Sequence, residues 1–139
     1  MENRELTFRT VQNLMEQAKQ AQQKAYAPYS RFKVGSALLT ESGKVYTGCN
    51  IENSSYPVGL CAERTAIAKA ISEGERHFVA LALVGGNNGK PCLPCGMCRQ
   101  FMTEFCTTDF KIFVQHENDI KTYTLAELLP YAFKLETEV

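Results

Sequence analysis

Residues 78–115 read FVALALVGGNNGKPCLPCGMCRQFMTEFCTTDFKIFVQ, and their order of patterns decides the fold. Phe78 to Val84 is a nearly continuous apolar run of strand length. Gly85 to Gly89 is a loop by composition, Arg99 to Phe105 has a helical look, and Phe110 to Gln115 reads as another strand. Strand, helix, strand is a βαβ unit, which predicts two parallel strands joined by a right-handed crossover.

Moving toward the N-terminus, Val34 to Leu39 and Lys44 to Cys49 are two short strand-like runs joined by Thr40, Glu41, Ser42 and Gly43. They read as a β-hairpin, so the sheet is expected to be mixed. A helix period runs through Phe8, Val11, Leu14, Met15, Ala18, Ala21 and Ala25 and is bounded by Pro28. A second, small-residue helix is predicted from Ala62 to Glu73, with Gly74 as its stop. Between hairpin and helix, Asn50 to Leu60 is irregular. Toward the C-terminus, Thr124 and Glu127 fit a capping box ahead of a short helix, Leu125 to Leu129, closed by Pro130. No repeat or linker interrupts the pattern, so one α/β domain over 1–139 is expected.

A chain of 139 residues is long enough to bury a sizeable core without staples. It has no run approaching the roughly 18 apolar residues of a membrane span. Fifteen Lys plus Arg balance fifteen Asp plus Glu, and neither sign forms a block, which argues against nucleic acid as a partner. The start at Met1 lacks the basic segment and apolar run of a secretory signal, so a cytoplasmic location is expected. Six cysteines fall below the density of about 8–10% that marks a disulfide scaffold. In a reducing compartment they read as metal ligands, nucleophiles or small buried side chains.

Two cysteine segments sit at predicted helix starts: Cys61-Ala62-Glu63 and Pro94-Cys95-Gly96-Met97-Cys98. Backbone N–H groups and the positive end of a helix dipole favour thiolate there. Thiolates select zinc over magnesium or calcium, and three protein ligands leave one position for water. Cys92 could instead be a fourth ligand, closing the site into a structural one, whereas His77 and His116 lack a ligand spacing. Arg64 and Arg99 adjoin the two segments and could offset the thiolate charge. Glu63 lies about 200° around a helix from Cys61, so the two can meet only above the helix N-terminus. There the carboxylate could move protons; its bland reading is an acid placed favourably in a first helical turn.

Cys61-Ala62-Glu63 followed by Pro94-Cys95-Gly96-Met97-Cys98-Arg99-Gln100 resembles the zinc-dependent cytidine deaminases, in the all-cysteine variant of the short nucleoside deaminases. The resemblance extends over Tyr29 to Gly35, Gly48 to Tyr56, Gly59 to Ile67 and Leu128 to Phe133. It implies a three-layer fold, a mixed sheet of about five strands with helices on both faces. It also implies one zinc per subunit on Cys61, Cys95 and Cys98, with Glu63 as proton shuttle and Arg64 beside the thiolates. Asn50 and Glu52 would bond the ribose hydroxyls, Phe32 and Ala62 would contact the nucleoside, and Tyr56 would reach ribose across an interface. Phe133 would enter a neighbouring subunit's site and stack on the base, within a homotetramer with shared sites.

The implied reaction is hydrolytic: water replaces the exocyclic amine at C4 of cytidine or deoxycytidine, giving the uridine product and ammonia, a step of pyrimidine salvage. Two departures stand out, Leu93 where a small polar residue is usual and the spare thiol of Cys92. Cys49 and Cys106 read as buried small side chains. The rival readings are a deaminase of a modified cytosine nucleoside such as blasticidin S, and a non-catalytic zinc-stabilised module.

Overall fold

A computed structural model describes residues 6–88 and 90–136 of the chain. Helix α1 (Phe8–Gln22) is capped by the Thr7 hydroxyl, which accepts from the Thr10 N–H. It is followed by the hairpin β1 (Val34–Thr40) and β2 (Val45–Cys49), then α2 (Ala62–Ser72), β3 (Phe78–Gly85) and α3 (Gly96–Phe105). The chain continues through β4 (Lys111–His116) and β5 (Asp119–Thr124) into the one-turn α4 (Leu125–Leu128). The five strands lie in the order β2-β1-β3-β4-β5. β3 and β4 pair in parallel, as the βαβ reading requires, and the other pairings are antiparallel.

β3 is central and covered on both faces, which is why its sequence is apolar throughout rather than alternating. One face is packed by α1, with Leu14, Met15 and Ala18 against Ala37, Leu39, Ala80, Ala82 and Phe113. The other meets Ala66, Ile67 and Ala70 of α2, Cys98 and Met102 of α3, and Leu125 and Leu128 of α4, against Leu38, Leu81, Leu83, Ile112 and Val114. The period-two alternation of each strand thus feeds two cores, giving the three layers expected.

Two boundaries differ from the sequence reading by more than a residue, and one strand is added to it. α1 stops at Gln22 rather than Ala25, because Tyr26 leaves the helix to donate its N–H to the Asn50 carbonyl. α3 begins at Gly96, a turn earlier than Arg99, with Cys95 as its N-cap. β5 has no counterpart among the strands read along the chain: Asp-Ile-Lys-Thr-Tyr-Thr is a mostly exposed edge strand with little apolar pattern to betray it. The turn feeding it places Glu117 at φ 56°, and the capping box predicted after it is present, with the Thr124 and Glu127 side chains capping reciprocally.

Two glycines set the height of the helices. A Cβ on Gly35 would lie 2.0 Å from the Ala18 carbonyl oxygen, and one on Gly48 would lie 2.5 Å from that of Ala62. The start of α2 is further tied down by Ser36 Oγ, which donates to the Ala62 carbonyl at 2.8 Å, and by Thr65 Oγ1, which donates to that of Cys49 at 3.1 Å. The segment bearing Cys61 and Glu63 is therefore fixed by the sheet beneath it.

Candidate active site

Cys61 is the N-cap of α2 and Cys95 the N-cap of α3, both in extended backbone, so both thiols project from helix starts. Cys98 lies one turn into α3 and is fully buried. The Cys61 and Cys95 sulfurs are 3.8 Å apart and those of Cys95 and Cys98 3.4 Å. All three fall within 4.8 Å of one another and form the group that could hold a metal among the described residues. Tetrahedral zinc with bonds of about 2.3 Å separates its thiolates by about 3.8 Å, so the donor set and its spacing fit one zinc ion.

The cluster is prepared for anionic sulfur. A hydrogen bond from the Cys98 thiol, reinforced by Arg64 and Cys95, holds the Cys61 thiol down at about 5 against the opposing effect of burial. Cys98, sharing its proton with Cys61 and buried, is pushed upward. Arg64 Nη2 lies 3.6 Å from the Cys61 sulfur and also donates to the Gly59 carbonyl at 3.3 Å. Arg99 points elsewhere, bonding the carbonyls of Pro94 and Leu128 and so bracing α3 against α4. Of the two arginines beside the cysteine segments, Arg64 is the one whose charge serves the thiols.

Glu63 is 3% exposed. Burial raises its acid to about 7, with the Cys61 charge adding to the rise and its own backbone N–H, Cys98 and Arg64 opposing it. A carboxyl balanced near neutrality can both take and give a proton. Cys92 packs beside the cluster, under the end of β3: a Cβ on Gly85 would meet its sulfur at 2.4 Å. Burial pushes its thiol up to about 11, and it is outside the cluster of three.

A cavity of about 490 Å³ opens beside Cys61, Cys95 and Arg64 and is lined also by Asn50, Glu52 and Tyr56. Tyr29, Ser30, Leu60 and Met97 line it too; their separate positions in the sequence carry no signal of this convergence. Glu52 accepts from the N–H groups of Tyr29 and Ser30 at 3.0 and 3.1 Å and from the Ser30 hydroxyl. The Ser30 hydroxyl is the largest influence holding its acid below the usual range. Asn50 accepts from the Val34 N–H at 2.9 Å and donates to the Phe32 carbonyl at 2.8 Å. Ala62 is buried, and Tyr56 is 74% exposed, its ring 6.0 Å from that of Tyr29. Phe32 lies outside the cavity lining, its ring over Gly86. Phe133 stands 68% exposed and away from the cavity, its carbonyl accepting from Gln100 Nε2 at 2.8 Å.

A mixed sheet whose flanking helices begin with metal-spaced thiols defines a zinc-binding α/β domain. The family model described as the cytidine and deoxycytidylate deaminase zinc-binding region matches residues 9–114. The chain belongs to this deaminase family. It is 50% identical over 127 residues to a cytidine deaminase of Sporosarcina psychrophila, covering 91% of this chain and 93% of that one. The crystal structure of cytidine deaminase from Burkholderia pseudomallei superposes with a TM-score of 0.84 at 46% identity, over 92% of this chain and 100% of that one. A blasticidin-S deaminase of Bacillus cereus is more distant, 28% identical over 136 residues, 91% of this chain and 96% of that protein.

Proposed function

We propose that the protein hydrolyses cytidine and deoxycytidine to uridine and deoxyuridine with release of ammonia, in pyrimidine salvage. The observation that carries this reading is a buried carboxyl, Glu63, in the first turn of the helix whose N-cap thiol, Cys61, meets the Cys95 and Cys98 thiols of α3 beside a cavity of about 490 Å³. Cys61, Cys95 and Cys98 would hold zinc, which when bound would supply a Lewis acid able to make a water molecule acidic. Glu63 would take a proton from the attacking water as the oxygen adds to C4, and pass it to N3. It then carries the second proton to the exocyclic amine as the C4–N bond breaks, so that ammonia leaves and the C4 carbonyl forms. Burial of Glu63 suits both halves of this cycle, because a fully ionised carboxylate would be a poor acid. Arg64 offsets the charge of the thiolates.

Asn50 and Glu52 bind the ribose hydroxyls in this reading while bracing the loop that carries Tyr29 to Phe32. Phe32 and Ala62 contact the nucleoside. The exposure of Tyr56 and Phe133 supports a homotetramer in which Tyr56 meets ribose across an interface and Phe133 stacks on the base in a neighbouring site. Balanced charge, with fifteen residues of each sign, supports a free nucleoside over a polynucleotide as substrate. A cytoplasmic location fits the reduced thiols of the site; no helix among the described residues is long and apolar enough to cross a membrane.

The test is the ultraviolet absorbance of cytidine incubated with the zinc-loaded protein, beside Glu63→Ala. Wild type is expected to convert cytidine, and the variant to lose at least about 100-fold in rate. A wild type inert on cytidine, or far better on blasticidin S, overturns the substrate; a Glu63→Ala protein at near wild-type rate overturns the proton shuttle.

A further inference from the structure

Gln22 is a polar side chain buried at the end of α1, 8% exposed, in a layer otherwise apolar. Its position follows from Gly35: a Cβ there would lie 2.4 Å from the Gln22 backbone nitrogen, so only glycine lets α1 end directly on the start of β1. From that point the Gln22 amide donates to the Lys33 carbonyl at 3.0 Å and to the Gly86 carbonyl at 2.7 Å. The Gly86 N–H in turn donates to the Lys33 carbonyl at 2.9 Å. One amide thus closes a ring between the chain entering β1 and the chain leaving β3.

Phe32 lies between these two anchors. Its ring rests on Gly86, where a Cβ would come within 2.7 Å of Cε2, and Gly86 has φ 69°, a conformation that glycine adopts freely. Its N–H donates to Ser30 Oγ at 3.0 Å and its carbonyl accepts from Asn50 Nδ2. Those bonds fix the Phe32 backbone from the cavity side; the Gln22 amide holds the next residue's carbonyl, that of Lys33, from the α1 side and the Gly86 carbonyl beneath the ring at the same time. We infer that Gln22 is a positioning residue for the nucleoside site, holding Phe32 against Gly86 by bridging the Lys33 and Gly86 carbonyls. The inference rests on the proposed role of Phe32 in nucleoside binding. Gln22 touches no reacting atom, so its influence falls on substrate binding rather than on proton transfer.

The experiment compares Gln22→Met, which keeps volume but removes both donors, with Gln22→Glu, which faces a carboxylate to two carbonyls, and with Gln22→Arg, a longer donor. Expected for Gln22→Met is a KM for cytidine and an inhibition constant for uridine each raised about tenfold, the worth of one to two hydrogen bonds. Its kcat and zinc content should stay within about twofold of wild type, with Gln22→Glu worse than Gln22→Met and Gln22→Arg partly restored. Amide hydrogen exchange, which needs no turnover, should rise about tenfold at Gly86 in Gln22→Met through loss of the neighbouring bonds. A KM unchanged in both Gln22→Met and Gln22→Glu overturns the inference, as does a loss of kcat that merely tracks lost zinc or a lower Tm. If wild type is inert on cytidine, the functional reading fails by itself, and unchanged exchange at Gly86 then overturns the clamp.

Discussion

Cys92 stands three positions before Cys95, and by spacing alone it competes for the metal. The structure separates the two, placing the Cys92 sulfur against Gly85 and leaving Cys61, Cys95 and Cys98 as the cluster. Cys92→Ala is therefore expected to retain one zinc per chain, whereas Cys95→Ala loses it; metal analysis of the two purified variants decides, and zinc lost from the Cys92 variant would restore the closed site. At this scale the thiols and Glu63 were legible because their short-range spacing at helix starts already carries the chemistry. Tyr29 and Ser30 were not, since they join the cavity wall only after a distant loop folds against it, and Met97 was not, since nothing in its spacing tells which side of α3 faces the cavity. Nor could spacing choose between Arg64 and Arg99, both adjoining cysteine segments. What separates them is direction, and Arg99 turns toward Pro94 and Leu128.

At the scale of elements, strand and helix are readable where a buried face imposes a period. β3 and β4 announced themselves by apolar content, and α1 by its three-to-four spacing. β5 did not, because it is an edge strand whose pairing with β4 from Lys111↔Thr124 to His116↔Asp119 rests on backbone bonds rather than on a buried apolar face. The apolar pattern of α3 is readable only from Arg99, because Gly96 and Met97 are exposed and offer no periodic signal, and its first turn is marked by the cysteine segment instead. The seat of α2 on β2 belongs to this scale. Gly48→Ala would press a methyl group 2.5 Å from the Ala62 carbonyl, with backbone on both sides of the contact. We expect a loss of about 1–3 kcal/mol in stability and weaker zinc retention, because the shifted element carries Cys61. Denaturant unfolding with metal analysis checks this, and a variant as stable as wild type would mean that α2 can lift without cost.

For the whole molecule, the mixed sheet is legible in the sequence pattern, since a βαβ unit beside a hairpin permits few arrangements, whereas the three layers are legible only through the family resemblance. Zinc, held more tightly by the three gathered thiols of the folded protein than by the unfolded chain, should stabilise it by mass action. Stripping the metal with a chelator is expected to lower Tm by about 10 °C, the worth of a few kcal/mol in a domain of this size. Differential scanning calorimetry before and after metal is restored reads it directly. An unchanged Tm would show a metal bound too weakly to contribute.

The place of β3 has a bearing on how the molecule comes to maturity. Cys61 precedes this strand in sequence and Cys95 and Cys98 follow it, yet β3 occupies the centre of the sheet, between β1 and β4. In the folded protein the three sulfurs meet with that strand in place and its neighbours closed on either side. The complete three-thiol site is thus a property of the finished topology, and a chain with β3 left out, or paired at the wrong edge, is expected to hold metal more weakly. During refolding, zinc capture should trail the formation of the central sheet, making the ion a proofreader of assembly as well as a participant in the chemistry that follows.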